Sequence, residues 1–372
     1  RRHTNFAIEA IQQTFNGNPG YGNRVTCQIS RNGDLIHRMY LTVDMSDETS
    51  KVCPYFGLRL IDYVELEIGG QKIDKQYSHW MYIWNELSLP YSKREGYKKM
   101  VGGDGDVLSA SSNDQLYIPL EFWFCRNVGL ALPLIALQYH EVKVNILFQT
   151  AEKCQGSTTA LAKPLGASSL WVDYIFLDTD ERRRFAQLSH EYLIEQLQFT
   201  GTESLSGAQA KPKLSFNHPC KELFWFVTAT GSTTDGVDNV NWYNFTNDQT
   251  GTTVATVNAK VEARSATTSV NPIASAKLVL NGNDRFSERN GSYFNTIQPY
   301  QHHENVPTNA GINVYSFALK PEEHQPSGTL NMSRIDTAVL NLNLTTGYNT
   351  GRESSLHVYA VNYNVLRILS GM

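Results

Sequence analysis

The sequence contains no long hydrophobic run, no signal peptide and no large excess of charge of either sign. Its longest apolar stretch, residues 128–137, is interrupted by Pro133 and is shorter than the roughly 18 residues that a membrane-spanning helix needs. A net charge of −4 argues against a protein that wraps nucleic acid, because such proteins need a strong basic excess. With 41% hydrophobic and 18% charged residues, the 372-residue chain has the composition of a globular protein with a sizeable core.

Cysteines are few, and their spacing does not indicate a disulfide framework or a metal site. The five, Cys27, Cys53, Cys125, Cys154 and Cys220, are odd in number, widely spread and without CxxC spacing. We therefore interpret them as reduced thiols that pack as small apolar side chains, which suits a reducing compartment.

Sequence motifs of common enzymes are also missing. There is no Gly-x-Ser-x-Gly elbow, no HExxH motif and no His-x-His pair. The His-His-Glu segment 302–304 has metal-ligand residue types, but adjacent residues of a strand point to opposite faces and cannot reach one ion. The GGDGD segment 102–106 lacks the features of a phosphate loop or an EF-hand and predicts a surface turn. We therefore expect no catalytic residue, no cofactor and no metal ion.

Two basic segments have structural interpretations. Segment 91–99 interleaves tyrosines with basic residues, as single-strand nucleic-acid binders do, but in an acidic chain it predicts a solvated loop or a subunit contact. The arginines of segment 182–184 are interpreted as partners of carboxylates, because planar guanidinium groups pair with carboxylates through two hydrogen bonds.

The chain does have many short segments with strand periodicity. Alternating apolar residues on both sides of Asn32-Gly33 predict a β-hairpin, since Asn-Gly favours a tight primed turn. Segments 55–68 and 116–124 predict further strands, and the large apolar residues of segment 79–89 recur at helical spacing. Segment 231–253, rich in Gly, Thr, Asn and Asp, predicts a long surface loop.

Three strand-like segments of the first half have counterparts, in the same order, in the second half. Segment 64–70 resembles 276–282, segment 141–148 resembles 338–344, and segment 168–172 resembles 354–358. The spacing between the copies drifts only as loop lengths would change it. We interpret this as tandem duplication of an all-β unit, and short strands with long loops fit a jelly-roll sandwich.

A connector joins the two predicted units. A strand at 172–177 is followed by Asp178 and Glu181, a capping-box pattern, with Phe185 and Leu188 on one face of a short helix. Strand periodicity returns at 191, so we place the first jelly roll at 1–180, the helical connector at 181–190 and the second jelly roll at 191–372. The connector residues are Asp178, Glu181, Arg182, Arg183, Arg184 and Phe185.

Four tripeptides match the glycosylation sequon, at Asn244, Asn290, Asn331 and Asn343. Asn244 is the first candidate because it lies in the predicted polar loop, and Asn290 is the second. The other two lie near predicted strands, where an enzyme would reach them less easily.

Six segments resemble the major capsid proteins of nucleocytoplasmic large DNA viruses, the group of the iridoviruses, algal viruses and giant viruses. They are RRHTNFA (1–7), HWMYIWNEL (79–87), FWFCRNVGLALPLIALQYHEV (122–142), ERRRFAQLSHEYLIEQLQ (181–198), FNHPCKELFW (216–225) and NVYSFALKPEEHQPSGTLNMSRID (313–336). The resemblance spans nearly the whole chain, and its FWFCRN and FALKPEEHQPSG segments are specific.

The resemblance implies a structural protein, not an enzyme, with a double jelly-roll fold and a few short helices. Such a chain is expected to form homotrimeric capsomers of pseudo-hexameric outline that tile an icosahedral virus shell. Expected partners are neighbouring capsomers and minor capsid and penton proteins, with an indirect association with the internal viral membrane and no direct contact with nucleic acid. The expected location is the virion, assembled in the host cytoplasm. The resemblance also implies an arm preceding Arg1.

Two other functions are compatible with a β-sandwich. Jelly rolls also form glycan-binding attachment proteins, whose loops bind sugars. A bicupin-like metal enzyme is the third interpretation, and the missing His-x-His pair argues against it.

Overall fold

Two β-sandwiches, each made of two sheets, account for most of the chain. The computed structural model describes residues 4–105, 115–230, 237–262, 270–345, 348 and 353–369. The strands of the first sandwich are β1 (Phe6–Gln13), β2 (Arg24–Gln28), β3 (Leu35–Asp44), β4 (Ile61–Ile68), β5 (Gln71–Tyr77), β6 (Gln115–Pro119), β7 (Leu132–Pro133), β8 (Val142–Phe148) and β9 (Ser168–Leu177). One sheet has the order β1-β9-β3-β6, with β7 beside β3, and the other has the order β2-β8-β4-β5.

The second sandwich repeats this arrangement. Its strands are β10 (His190–Phe199), β11 (Glu203–Leu205), β12 (Gln209–Ala210), β13 (Lys213–Leu214), β14 (Pro219–Thr230), β15 (Ile273–Leu280), β16 (Asn283–Asp284), β17 (Arg289–Asn290), β18 (Asn313–Ser316), β19 (Leu330–Asn331), β20 (Ala338–Leu344) and β21 (Glu353–Ile368). The sheets have the orders β10-β21-β14-β18 and β12-β20-β15-β16. The predicted repeats coincide with the pairs β4 and β15, β8 and β20, and β9 and β21, so the predicted tandem of jelly rolls is confirmed.

Short helices fill the connections between strands. They are α1 (Phe56–Leu60), α2 (Ser78–Ser88), α3 (Arg94–Val101), α4 (Trp123–Arg126), α5 (Ala151–Cys154), α6 (Thr179–Gln187), α7 (Val237–Val240), α8 (Val254–Glu262) and α9 (Gln298–His302). A π-helical turn, Tyr293–Ile297, leads directly into α9. Helix α2 confirms the helix predicted at 79–89.

The hairpin predicted at Asn32-Gly33 is wrong. Strand β2 pairs with β8 and strand β3 pairs with β6, β7 and β9, so the two strands belong to opposite sheets. Gly33 instead allows the backbone to pack closely against Tyr174, because a Cβ at position 33 would lie only 2.9 Å from the Cβ of Tyr174. Alternating apolar residues show that a strand has one buried face, and strands facing one core from opposite sheets share that pattern.

Two predicted strands were too long at one end. Residues Phe56–Leu60 of segment 55–68 form α1, after Tyr55 takes a left-handed backbone with φ of 51°. In segment 116–124, strand β6 ends at Pro119 and α4 begins at Trp123. Both helical turns are made of large apolar residues, whose short runs suit a buried helix as well as a strand.

Strand β14 is apolar on both faces, and each face belongs to a different core. Leu223, Trp225 and Val227 lie in the core of the second sandwich. Phe224 and Phe226 point the other way, into a hydrophobic cluster that continues through α2 into the core of the first sandwich. The continuous apolar run of this strand therefore reflects burial on both faces.

Candidate assembly site between and around the sandwiches

Helix α2 occupies the junction between the two sandwiches. It begins one residue after β5 ends and is buried on nearly every side, with Trp80, Met81 and Ile83 all at 0% exposure. The Trp80 ring lies 4.9 Å from that of Phe224 on β14, in an edge-to-face contact. Burial on nearly every side is expected of a helix that packs on its own sandwich with one side and on a second sandwich with the other.

Two neutral histidines, His79 of α2 and His357 of β21, pack against each other at this junction. The His79 ring lies 5.2 Å from the rings of both Phe226 and His357. Burial lowers the pKa of His357 to about 4. Burial, with a smaller contribution from the nearby His357, lowers the pKa of His79 well below its usual value. The imidazoles are therefore uncharged at neutral pH and act as aromatic packing groups.

Segment 237–253 fills the same junction, which corrects the prediction of a surface loop for these residues; residues 231–236 lie outside the described part of the chain. Trp242, Tyr243 and Phe245 are buried, and the indole nitrogen of Trp242 donates to the Pro54 carbonyl at 2.7 Å. The polar side chains of this segment bond to one another and to the backbone, so a polar composition did not indicate exposure.

A β-bulge brings two charged residues into the interior. The register of β14 against β21 shifts between Cys220 and Glu222, and the bulge carries Lys221 and Glu222 with 1% and 0% exposure. A bulge adds one residue to a strand and redirects its side chains. Each of these buried charges pairs with a charge of opposite sign, Lys221 with Glu195 and Glu222 with His303.

Glu195 on β10 connects charges of the two sandwiches. Its carboxylate lies 2.8 Å from Lys221 Nζ and 3.1 Å from an Arg126 terminal nitrogen, and Arg126 belongs to α4 of the first sandwich. His324 Nδ1 lies 3.9 Å from the same carboxylate, an ion-pair distance that is too long for a hydrogen bond. Burial alone would raise the pKa of Glu195, but His324, Lys221 and Arg126 outweigh it and lower the pKa to about 2.

His303 holds a second buried ion cluster. Its Nε2 and Nδ1 each lie 2.7 Å from a carboxylate oxygen, of Glu222 and Glu322 respectively. Burial would lower the pKa of His303, but the two carboxylates raise it to about 9, so the ring is protonated at neutral pH. The predicted 302–304 segment thus contributes to an ion cluster. Among the described residues, no group of three or more His, Cys, Asp or Glu side chains is arranged to hold a metal ion.

The connector forms the predicted strand, helix and strand. Asp178 caps α6 by accepting from the Thr179 N–H at 2.7 Å. Arg182 Nε lies 2.8 Å from a carboxylate oxygen of Asp34, which is buried at the end of the first sandwich. Leu188 lies beyond the end of α6 and is 58% exposed, so its predicted place on the apolar helix face is wrong.

The remaining connector residues differ in their surroundings. Phe185 packs against Leu35, Ala131 and Ile175 and stacks on the ring of His190 at 5.3 Å. Arg184 forms a long ion pair with Glu181 at 3.8 Å, and Arg183 is exposed.

The sequons are placed very differently in the fold. Asn244 is 0% exposed, and its side chain bonds to Asn241, Thr246 and the Asp248 carbonyl, so the expectation of an accessible site there is wrong.

Asn290 is exposed in the short strand β17, with its Oδ1 accepting from the Ser292 N–H. The other two sequon asparagines, Asn331 and Asn343, are half-buried and hydrogen-bonded.

Three further sequence interpretations are resolved by the structure. All five cysteines are free and buried, which confirms their role as small apolar side chains. Segment 91–99 is helical rather than a loop, since a short 3-10 turn, Tyr91–Lys93, leads into α3. The described part of the GGDGD segment is a turn, where Gly102 ends α3 with a φ of 69°, but its glycines are buried and Asp104 is exposed, so the predicted surface position is wrong for most of it; Asp106 lies outside the described residues.

No helix among the described residues has both the length and the apolar character needed to cross a membrane.

Two sandwiches of equivalent strand order that share a hydrophobic cluster define the class of double jelly-roll proteins. Two family models divide the chain between them. The model of the major capsid protein N-terminus matches residues 1–178, and that of the large eukaryotic DNA virus major capsid protein matches residues 181–372. The chain belongs to the family of large eukaryotic DNA virus major capsid proteins. Its role is structural, as a subunit of the virion capsid, which confirms the resemblance described above.

Relatives and solved structures agree with this assignment. The major capsid protein of Pyramimonas orientalis virus is 50% identical over 401 aligned residues, which cover 100% of this chain and 90% of the relative. That of Paramecium bursaria Chlorella virus 1 is 44% identical over 404 residues, covering 100% and 91%.

A quasi-atomic model of the PBCV-1 virus capsid contains a chain with a TM-score of 0.82 and 40% identity, covering 100% of this chain and 97% of that one. The Faustovirus major capsid protein, at 12% identity, shares the fold with a TM-score of 0.78, covering 99% and 91%.

Proposed function

We propose that three copies of this chain assemble into one capsomer of pseudo-hexameric outline, and that such capsomers tile an icosahedral shell. The observation that carries the proposal is the equivalent strand order along the main path of each sheet in the two sandwiches, which gives each chain two similar wedges. Three chains then supply six wedges around a threefold axis, so a particle with threefold symmetry packs like a hexagon.

Particle size tests this proposal directly. Light scattering of the purified chain in native buffer should give three times the chain mass of 41.9 kDa, and negative-stain images should show pseudo-hexagonal particles. A persistent monomer at micromolar concentration would contradict the trimer.

We further propose the division of the chain into a first jelly roll at 1–180, a connector at 181–190 and a second jelly roll at 191–372. The family matches at 1–178 and 181–372 support this division. The connector would set the angle between the sandwiches through the Asp34–Arg182 ion pair and the packing of Phe185.

The capsid role also suggests further binding partners and a place of assembly, which we include in the proposal. Minor capsid and penton proteins would bind the assembled capsomers, the internal membrane would be contacted only indirectly, and assembly would take place in the host cytoplasm. Co-purification of intact particles, followed by cross-linking mass spectrometry, would identify which proteins contact this chain.

Asn290 is the one sequon that we propose as a glycosylation site. It is exposed, whereas Asn244 is buried and the other two sequon asparagines are half-buried. The intact mass of virion-derived protein, compared with that of an Asn290→Gln variant, tests it; a parent mass equal to that of the bare sequence would remove the proposal.

A further inference from the structure

Within the chain, α2 of the first sandwich packs over a pair of stacked rings on the outer face of a sheet of the second sandwich. Phe226 on β14 and His357 on β21 are cross-strand neighbours, and their ring centroids are 4.7 Å apart with an interplanar angle of 7°. This pair is buried, because His79 of α2 lies over it, 5.2 Å from each ring.

The first sandwich carries the equivalent ring pair on the equivalent face. Tyr40 on β3 and Trp171 on β9 are cross-strand neighbours, and they stack at 6.4 Å with an interplanar angle of 3°. Strands β3 and β9 occupy the positions in the first sandwich that β14 and β21 occupy in the second. Both sheets therefore present two stacked rings on the side away from their own core.

The two faces differ in how far they are covered. Tyr40 and Trp171 are only half-buried, and beside them Tyr117 is 40% exposed and Met100 is 38% exposed. A cleft of about 740 Å³ opens at this face, between the sheet and α3. Large apolar and aromatic side chains grouped around an open cleft are typical of a protein interface.

The helix that would cover this face also exists in the chain. Segment 293–302 follows β16 and β17, as α2 follows β5, and so is the counterpart of α2 in the second sandwich. Its residues Phe294 and Gln298 are buried, while Ile297 and Tyr300, three residues apart on the outer side, are 42% and 76% exposed. Helix α2 has no such exposed apolar side, because it lies between two sandwiches.

We propose that Ile297 and Tyr300 of one copy pack over the Tyr40–Trp171 pair of the next copy, repeating between chains the contact that α2 makes within the chain. The partner is a second copy of this protein. The contact joins two different surfaces, so it is heterologous, and such contacts close into a ring of three when each copy is rotated by a third of a turn from the last. The inference rests on the proposed trimer and identifies the surfaces that form it.

A cysteine cross-linking experiment tests the contact on the full-length chain. Tyr300→Cys and Tyr117→Cys each introduce one accessible thiol, and the five native cysteines are buried, which keeps the background low. A short bis-maleimide joins two nearby thiols, because each thiol adds across one maleimide double bond. A mixture of the two single variants should give a covalent dimer, and the double variant should give a covalent trimer.

The matched control replaces Tyr117→Cys with Tyr139→Cys. Tyr139 is 72% exposed and lies in the loop before β8, beside Gln138 and His140 rather than on either proposed face. Its mixture with Tyr300→Cys should give less than a tenth of the covalent dimer. Equal yields from the two mixtures would overturn the proposed contact.

Charge substitution gives a second, independent measurement. Tyr300→Asp should weaken trimer formation at least tenfold by light scattering, whereas Tyr139→Asp should leave it unchanged. Both residues are exposed, so circular dichroism should match the parent. If the parent is a trimer and both variants remain trimers, the surface is wrong and the proposed function stands. If the parent itself is a monomer, the proposed function fails.

Discussion

Glu195 carries a buried charge whose partners come from both sandwiches. Arg126 approaches it from the first sandwich and Lys221 from the second, and Lys221 is only 1% exposed. Removing one member of a buried ion pair strands the partner charge away from water, and that cost is far larger than the net value of the pair. The Glu195 cluster is therefore compatible with a stable interface only while all of its charged members are present.

We predict that Glu195→Gln destabilises the protein by about 3–5 kcal/mol, because it leaves Lys221 and Arg126 without a carboxylate. Urea unfolding followed by tryptophan fluorescence would measure the loss. The matched control is Glu191→Gln on the same strand, whose partner Arg367 is 64% exposed, and which should cost less than about 1 kcal/mol. Equal losses in the two variants would contradict the importance of burial.

His303 gives the protein a pH dependence on the alkaline side. Its pKa is about 9 in the folded chain against an ordinary value of 6.5, because Glu222 and Glu322 flank the protonated ring. A raised folded-state pKa contributes stability that is complete below the ordinary pKa and is lost as the pH rises through the folded value. Unfolding should therefore become easier between about pH 6.5 and about pH 9.

The measurement is the thermal midpoint across that range. The parent should lose stability steadily, and His303→Gln should be less stable at the acidic end and show a flatter profile, since glutamine does not titrate. An unchanged slope in the variant would assign the pH dependence to other groups.

The sequence predicts a helix or strand correctly where the local pattern of residues determines it. It does not predict which strands pair, because that depends on contacts between distant parts of the chain. Helix α2 was found from its spacing because helical periodicity is local. The pairing of β2 with β8 depends on which sheet a strand joins, and alternation carries no such information. The same limit hid the His303–Glu222 contact, whose members lie 81 residues apart.

Segment 237–253 shows a second limit at this scale. Its asparagines and threonines are polar, yet Asn241 and Asn244 are buried because their amides bond to nearby backbone and side chains. Only the tertiary structure shows that a polar segment satisfies its own hydrogen bonds and fills an interface.

The connector α6 is the element whose rigidity can be tested separately. We predict that a Gly-Ser insertion after Gln187 leaves both sandwiches folded but reduces trimer assembly. The insertion separates the Asp34–Arg182 ion pair from β10, so the angle between the sandwiches is no longer fixed. Circular dichroism should match the parent while light scattering shows smaller particles. An insertion variant that assembles as well as the parent would remove the proposed role of the connector.

At the scale of the whole molecule, the two sandwiches share one hydrophobic cluster. That cluster contains Trp80 and Val64 from the first sandwich and Phe224 and Tyr359 from the second. Domains joined by a small polar interface unfold separately, whereas a large apolar interface couples them. We therefore expect the two sandwiches to unfold together as one cooperative unit.

We predict a single calorimetric unfolding transition for the chain in its monomeric or trimeric form. Trp80→Ala should lower its midpoint without splitting it, because Trp80 is 0% exposed and truncating a buried tryptophan costs about 3–5 kcal/mol. The matched control, Tyr91→Ala, removes a ring that is 81% exposed and should shift the midpoint little. Two separate transitions in the parent, with only one of them moved by Trp80→Ala, would show that the sandwiches unfold independently. The shared cluster would then be a contact between two stable units, and the angle between the sandwiches would depend mainly on the connector.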